Sequence, residues 1–178
     1  HTGDTGFLDE EGFLHITGRK KDILITSSGK NISPSKIENL LKGSRYISEA
    51  VAVGHGKEYI AALVILNQEE VINYARDNQI TFEDLQHLVR KQEIVNLIDE
   101  EIKVKNKELA RVEQVRKFTI LEKELRPGDE EVTPTLKVKR RIFEQKYKDQ
   151  IDAMYKKDEK DPSQKEMLRQ CGRSVAGR

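Results

Sequence analysis

Four short stretches combine chemically able side chains with glycines that let a backbone approach a ligand. Thr2-Gly3-Asp4 sets a glycine beside a carboxylate that can accept two hydroxyl hydrogens, as from a ribose diol. Gly18-Arg19-Lys20-Lys21-Asp22-Ile23 offers a planar fork of donors at Arg19 for hydroxyls or phosphate, and flexible point charges at Lys20 and Lys21. Ser27-Ser28-Gly29-Lys30 is a hydroxyl-rich turn able to present backbone donors to an anion, without the Gly-x-x-x-x-Gly-Lys-Ser/Thr spacing of a phosphate loop. Pro134-Thr135-Leu136-Lys137-Val138-Lys139-Arg140-Arg141 carries Lys or Arg at four of its last five positions. In isolation each has a plainer reading: a turn, a solvent-facing strand entry, a second turn and a solvated basic face.

Composition narrows the chemistry. The 178 residues include 32 Lys and Arg against 31 Asp and Glu, a formal charge of +1. That balance argues against a general polyanion binder, whose footprint is a basic excess. The basic segment ending at Arg141 also lacks the interleaved aromatics that stack on bases. Cys171 is the only cysteine, which excludes an internal disulfide and a thiolate metal cluster. His1, His15, His55 and His87 show no paired metal spacing, so no protein-bound metal is expected. The apolar runs are far shorter than a membrane span. The chain opens without an initiator Met, and the expectation is a piece of a longer protein. Hydrophobic residues at 36% and a mean hydropathy of −0.70 allow a small, well-solvated core.

The elements that must carry these stretches are legible from patterning. Phe7-Leu8 and Phe13-Leu14-His15-Ile16 flank Asp9-Glu10-Glu11-Gly12, predicting a β-hairpin. Ile23–Thr26 reads as a short strand, and Pro34 opens a helix behind Ser33 with Ile37, Leu40 and Leu41 at helical spacing. Ala50–Val53 and Tyr59–Leu66 are continuous apolar runs that suit strands covered on both faces. Helices are expected over Gln68–Arg76, Thr81–Val89 (behind a Thr-Phe-Glu-Asp capping pattern) and Glu93–Leu109, followed by a strand at Lys117–Leu121. Arg126–Glu131 reads as a loop, a further helix lies near Ile142, Phe143 and Tyr147, and periodicity ends beyond Tyr155. The fold class is therefore α/β of the α+β type: short antiparallel sheets packed against three to five helices, preceded by a hairpin.

In this order the motifs resemble the carboxy-terminal part of an AMP-forming acyl-CoA synthetase, within the adenylate-forming superfamily. They are Thr2-Gly3-Asp4, Gly12-Phe13, Gly18–Ile23, Ser28–Pro34 with Ile37-Glu38, and Thr133–Arg140 in the form typical of the long-chain fatty acid branch. The resemblance implies an enzyme that joins a carboxylate to ATP, releasing pyrophosphate, and passes the acyl group to the thiol of coenzyme A. It implies that Asp4 and Arg19 serve the ATP ribose, that Lys21 is the hinge, and that Lys137 is the closing lysine of adenylation. Ser28, Gly29 and Lys30 would then form the loop presented to coenzyme A. Leu136 stands where many relatives have Gly, and Lys139 is the alternative closing lysine.

The same resemblance divides the chain into residues 1–20, the last segment of an amino-terminal domain; 21–155, a mobile carboxy-terminal domain; and 156–178, a disordered tail. ATP and Mg2+ would be bound mostly by the amino-terminal domain, so this chain alone is expected to be inactive. The implied partners are a fatty acid, ATP, coenzyme A and the amino-terminal domain, with no nucleic acid. The implied setting is the cytoplasm, with room for peripheral membrane contact. Two other classes share parts of the pattern: an adenylating enzyme with a carrier-protein or luciferase-like acceptor, and a non-enzymatic α/β binding module.

Overall fold

Ile60–Leu66 forms strand β6, and every one of its seven side chains is buried. Successive side chains of a strand point to opposite faces, so a fully apolar strand must be covered twice. In the computed structural model β6 lies at the centre of a three-stranded sheet, between β5 (Ile47–Val53) and β7 (Val115–Leu121). The structure describes residues 4–9, 11–19, 23–123, 125–126, 128–133 and 138–156, with 4–7 and 15–19 described by backbone alone. The predicted tail, residues 156–178, lies outside this set beyond Lys156.

The alternation of β6 divides the interior. Ile60, Ala62, Val64 and Leu66 enter one core with Ile37 and Leu41 of α1 (Pro34–Lys42), Val71 and Ala75 of α2 (Gln68–Asp77) and Leu88 of α3 (Leu85–Arg90). Ile94, Ile98 and Ile102 of α4 (Gln92–Asn106) complete it from one helical stripe. Ala61, Leu63 and Ile65 face a second core, closed by Phe143 of α5 (Arg140–Lys146), by Tyr147, and by Met154 of α6 (Lys148–Tyr155).

Smaller elements precede the sheet. β1 (Asp4–Leu8) and β2 (Leu14–Arg19) form the expected antiparallel hairpin. Its turn is built on Asp9, whose Oδ1 accepts from the Glu11 and Phe13 N–H groups at 3.1 and 2.9 Å. β3 (Leu24–Ile25) pairs antiparallel with β4 (Asn31–Ile32), and Pro34 opens α1 where its fixed φ suits the first helical turn.

The mixed α/β class is as expected, and three details differ. β7 pairs parallel with β6, because α2, α3 and α4 carry the chain back across the sheet before β7 begins. The helix expected from Thr81 starts at Leu85: Asp84 is the N-cap, accepting from the His87 N–H at 2.7 Å, while Ile80 and Phe82 pack against the first core. Among the described residues there are six helices rather than about three to five, since the segment after Arg140 breaks at Tyr147, whose φ of −102° and ψ of 23° leave the helical region.

Phe143 is fully buried at the centre of the second core. Phe143→Ala is expected to lower unfolding free energy by about 3–5 kcal/mol, measured as a shift of the urea midpoint at constant slope.

Candidate functional site

Two segments that carry candidate chemistry are anchored separately on this body. The first is the glycine turn. The Gly29 N–H donates to Thr26 O at 2.9 Å and the Thr26 N–H to Lys30 O at 3.1 Å, closing the turn. Thr26 Oγ1, nearly buried, accepts from the Lys30 N–H at 3.2 Å and lies 3.0 Å from Ser28 Oγ. Gly29 has a φ of +75°, a left-handed conformation that disfavours any residue with a Cβ. A Cβ built there meets nothing within 4 Å, so backbone conformation, not internal crowding, demands glycine, and space beside it is open.

The turn is tied to the link between β5 and β6. The Gly56 N–H donates to Ile25 O at 2.7 Å, and the Ser27 N–H donates to Lys57 O at 2.9 Å. Ser28, Gly29 and Lys30 are all exposed. The arrangement is a rigid base carrying an exposed, hydroxyl-bearing tip.

The second anchor lies at the foot of the basic segment. Val132 and Val138 form an antiparallel bridge, and the Lys139 N–H donates to Glu131 O at 2.7 Å. The Glu131 side chain is 1% exposed and accepts from Lys123 Nζ at 2.9 Å, from Lys146 Nζ, and weakly from Tyr147 Oη at 3.4 Å. Burial pushes this carboxyl up, but the ion pairs with Lys146 and Lys123 outweigh it and hold it down at about 2. Burial and the neighbouring Glu131 charge push the Tyr147 phenol above its ordinary value. Asp129 is lowered by the Arg126 N–H and by Lys123.

A few residues on, Arg140 Nη1 donates to Ala52 O at 2.6 Å while Nη2 pairs with Glu38. Glu38 Oε1 also accepts from the Ala52 N–H at 2.8 Å, so α1, the β5 edge and the start of α5 are joined at one point. Arg140, read from composition as part of a solvated basic face, is instead a structural clamp. Sequence reasoning assigned no role to Glu38, Glu131 or Arg140. Glu131 in particular looked like one more acid in a loop, because its partners Lys123 and Lys146 are distant along the chain.

Of the expected site residues, Asp4 and Arg19 are Cα partners across the β1–β2 hairpin. Ser28, Gly29 and Lys30 form the exposed tip described above. Lys21 and Lys137 lie outside the described residues. Lys139, the alternative closing lysine, is the N-cap of α5.

A family model described as the AMP-binding enzyme C-terminal domain matches residues 21–159. The chain is 38% identical over 158 residues to the long-chain-fatty-acid–CoA ligase FadD15 of Mycobacterium tuberculosis, covering 88% of this chain and 26% of that protein. It is 34% identical over 173 residues to the human long-chain-fatty-acid–CoA ligase ACSBG2, covering 87% and 26%. The chain thus spans about a quarter of the length of the curated relatives it matches. Among solved structures, it resembles a Mycobacterium tuberculosis fatty acyl CoA synthetase with a TM-score of 0.51 and 26% identity, covering 84% of this chain and 24% of that one. The adenylation domain of a Mycobacterium chelonae carboxylate reductase shares the fold, with a TM-score of 0.69 at 21% identity over 86% of this chain and 22% of that one.

The Glu131 cluster sets a pH dependence. A carboxyl held at about 2, below its ordinary 4.5, contributes stability that is complete above pH 4.5 and is lost as pH falls towards 2. Glu131→Gln is expected to lower the melting temperature at pH 7 and to flatten its fall between pH 4.5 and 2. A parallel fall in both proteins would contradict the assignment.

Proposed function

Because the chain belongs to the family of AMP-binding enzyme C-terminal domains, we propose that it is the carboxy-terminal part of a long-chain fatty acid–CoA ligase. The observation that carries this reading is the presence of two separately anchored segments on one small body. The exposed glycine turn is fastened to the β5–β6 link, and the basic segment is rooted on Glu131 and Arg140. A two-step reaction that presents first one segment and then the other to a common site needs such a body. Identity to long-chain-fatty-acid–CoA ligases over most of the chain supports the same conclusion.

In the first step a carboxylate oxygen attacks the α-phosphorus of ATP, forming acyl-adenylate and releasing pyrophosphate. Two anionic groups must meet, so a positioned cation lowers the barrier most where charge concentrates. The Lys137 ammonium is proposed for that place. Asp4 would accept the ribose hydroxyls with Arg19 beside it, a pairing supported by their opposition across the hairpin. In the second step the thiol of coenzyme A attacks the acyl carbon and AMP leaves. Ser28, Gly29 and Lys30 would then line the thiol's approach, with Gly29 leaving open space for the arm.

Lys21 is the proposed pivot between residues 1–20, which belong with the amino-terminal domain, and the moving body of residues 21–155. A few residues at an element's edge can absorb the required dihedral change. ATP and Mg2+ would be held chiefly by the amino-terminal domain. Among the described residues no group of three or more His, Cys, Asp or Glu is placed to hold a metal ion. No helix among them is long and apolar enough to cross a membrane, and a cytoplasmic setting with peripheral membrane contact is part of the proposal.

In the intact ligase, Lys137→Ala is expected to slow ATP–pyrophosphate exchange by about 10²–10³-fold, the scale of losing one preorganised charge-stabilising group. An unchanged exchange rate would contradict the assignment. Lys21→Pro, which fixes φ at the pivot, is expected to slow at least one half-reaction. Wild-type rates for both would remove the hinge. The chain by itself is expected to form no acyl-CoA from ATP, palmitate and coenzyme A, and measurable product would refute its dependence on the amino-terminal domain.

A further inference from the structure

The two outer edges of the three-stranded sheet are finished differently. On β5 the edge is covered by side chains: Glu38 Oε1 accepts from the Ala52 N–H at 2.8 Å, and Arg140 Nη1 donates to Ala52 O at 2.6 Å. On β7 such cover stops at the first residue. Asn106 donates from Nδ2 to Val115 O at 2.8 Å and accepts from the Val115 N–H at 2.9 Å. From Phe118 to Leu121, no strand, loop or side chain among the described residues completes the edge.

An unpaired edge is a template for another strand. β7 opens into a groove of about 520 Å3 whose lining includes Val89, Phe118, Ile120 and Met154. Phe118 and Ile120 are half-buried, whereas Ala62 and Val64, their partners on β6, are fully buried. The groove is therefore apolar along its middle. Its ends are charged. Arg116, skipped in the register between β6 and β7, is exposed at one end and has no ion pair among the described residues. Glu122 is exposed at the other, held by Arg90 Nε and Nη2 at 2.6 and 2.8 Å.

This arrangement is complementary to itself. With the stretch Arg116-Lys117-Phe118-Thr119-Ile120-Leu121-Glu122 laid antiparallel on a second copy about Thr119, Arg116 stands opposite Glu122 at both ends. Phe118 stands opposite Ile120, and Thr119 opposite Thr119. Opposite charges, an aromatic against a β-branched side chain, and facing threonines are the cross-strand pairs that stabilise antiparallel strands. Other registers lose the match. Moving the axis to Phe118 sets Arg116 against Ile120; moving it to Ile120 sets Lys117 against Lys123 and Phe118 against Glu122. A carboxylate has lone pairs enough to accept from Arg90 and from a second arginine together.

We propose that β7 pairs antiparallel with β7 of a second copy about a two-fold axis at Thr119, continuing the sheet to six strands. The contact uses the same patch on both copies, so it closes at two, and the covered β5 edge stops further growth. The inference goes beyond the ligase reading and does not depend on it.

The test is sedimentation equilibrium of the intact protein over a range of concentrations, for wild type, Arg116→Glu, Glu122→Arg and the double variant. Both side chains are exposed, so these substitutions leave the fold intact. The wild type is expected to be a concentration-dependent dimer. Each single variant sets like charges against each other at both ends and should raise the dimer dissociation constant about tenfold. The double variant restores opposite charges and should recover part of that loss. In the wild type, amide hydrogen exchange at Phe118 to Leu121 should slow as concentration rises. A protein that stays monomeric, a dimer indifferent to the single substitutions, or a double variant no tighter than either single one would overturn the pairing.

Discussion

The burial of β6 on both faces is the constraint on which the rest of the structure depends. Seven consecutive apolar side chains cannot be solvated on either side, so the sheet must carry a layer of helices on each face. One layer is α1 to α4 and the other is α5 with α6. Each candidate segment is fixed to a different part of this arrangement. The glycine turn is fastened to the link between β5 and β6, and the basic segment enters α5, whose Phe143 fills the second core. Under the proposed two-step reaction the body between the two segments has to be rigid, and the doubly covered strand supplies that rigidity.

Electrostatics completes the anchoring where apolar contact cannot. A buried ion pair is weak evidence for stability in general, because desolvation offsets much of the attraction. Its value as a positioning device depends on how many partners converge. Glu131 receives Lys123 and Lys146, and its own backbone oxygen holds the Lys139 N–H. Glu38 likewise receives both the Ala52 N–H and the Arg140 guanidinium. Removing Arg140 leaves Glu38 without its ion pair in a partly dry setting, the costly outcome, whereas removing either lysine leaves Glu131 with the other. The two clusters fix the described residues at 131–133 and 138–140, on either side of Lys137 in the sequence.

Much of this organisation was legible in the residues, and the gaps have physical causes. The hairpin around Asp9, the proline-opened helix at Pro34, the doubly covered run at Ile60–Leu66 and the stripe Ile94, Ile98, Ile102 follow local periodicity and turn chemistry, which a sequence displays directly. The parallel pairing of β7 does not, because it depends on how α2 to α4 cross the sheet. The start of α3 at Leu85 was hidden by a competing Thr-Phe-Glu-Asp pattern, and tertiary packing of Phe82 decided against it. Motif order proposed Asp4, Arg19 and Ser28 to Lys30 as site residues, whereas the anchoring contacts of Glu38, Glu131 and Arg140 were not legible because their partners come from remote elements.

The central claim is that one rigid body offers two segments to one site in successive steps. It is tested most directly by a distance measurement in the intact ligase. One spin label would be placed at exposed Glu93→Cys on α4 and another on the amino-terminal domain, with Cys171 replaced by Ser. One distance distribution is expected with ATP and fatty acid, and a clearly different one with acyl-adenylate and coenzyme A. A single distribution, unmoved between the two conditions, would contradict it.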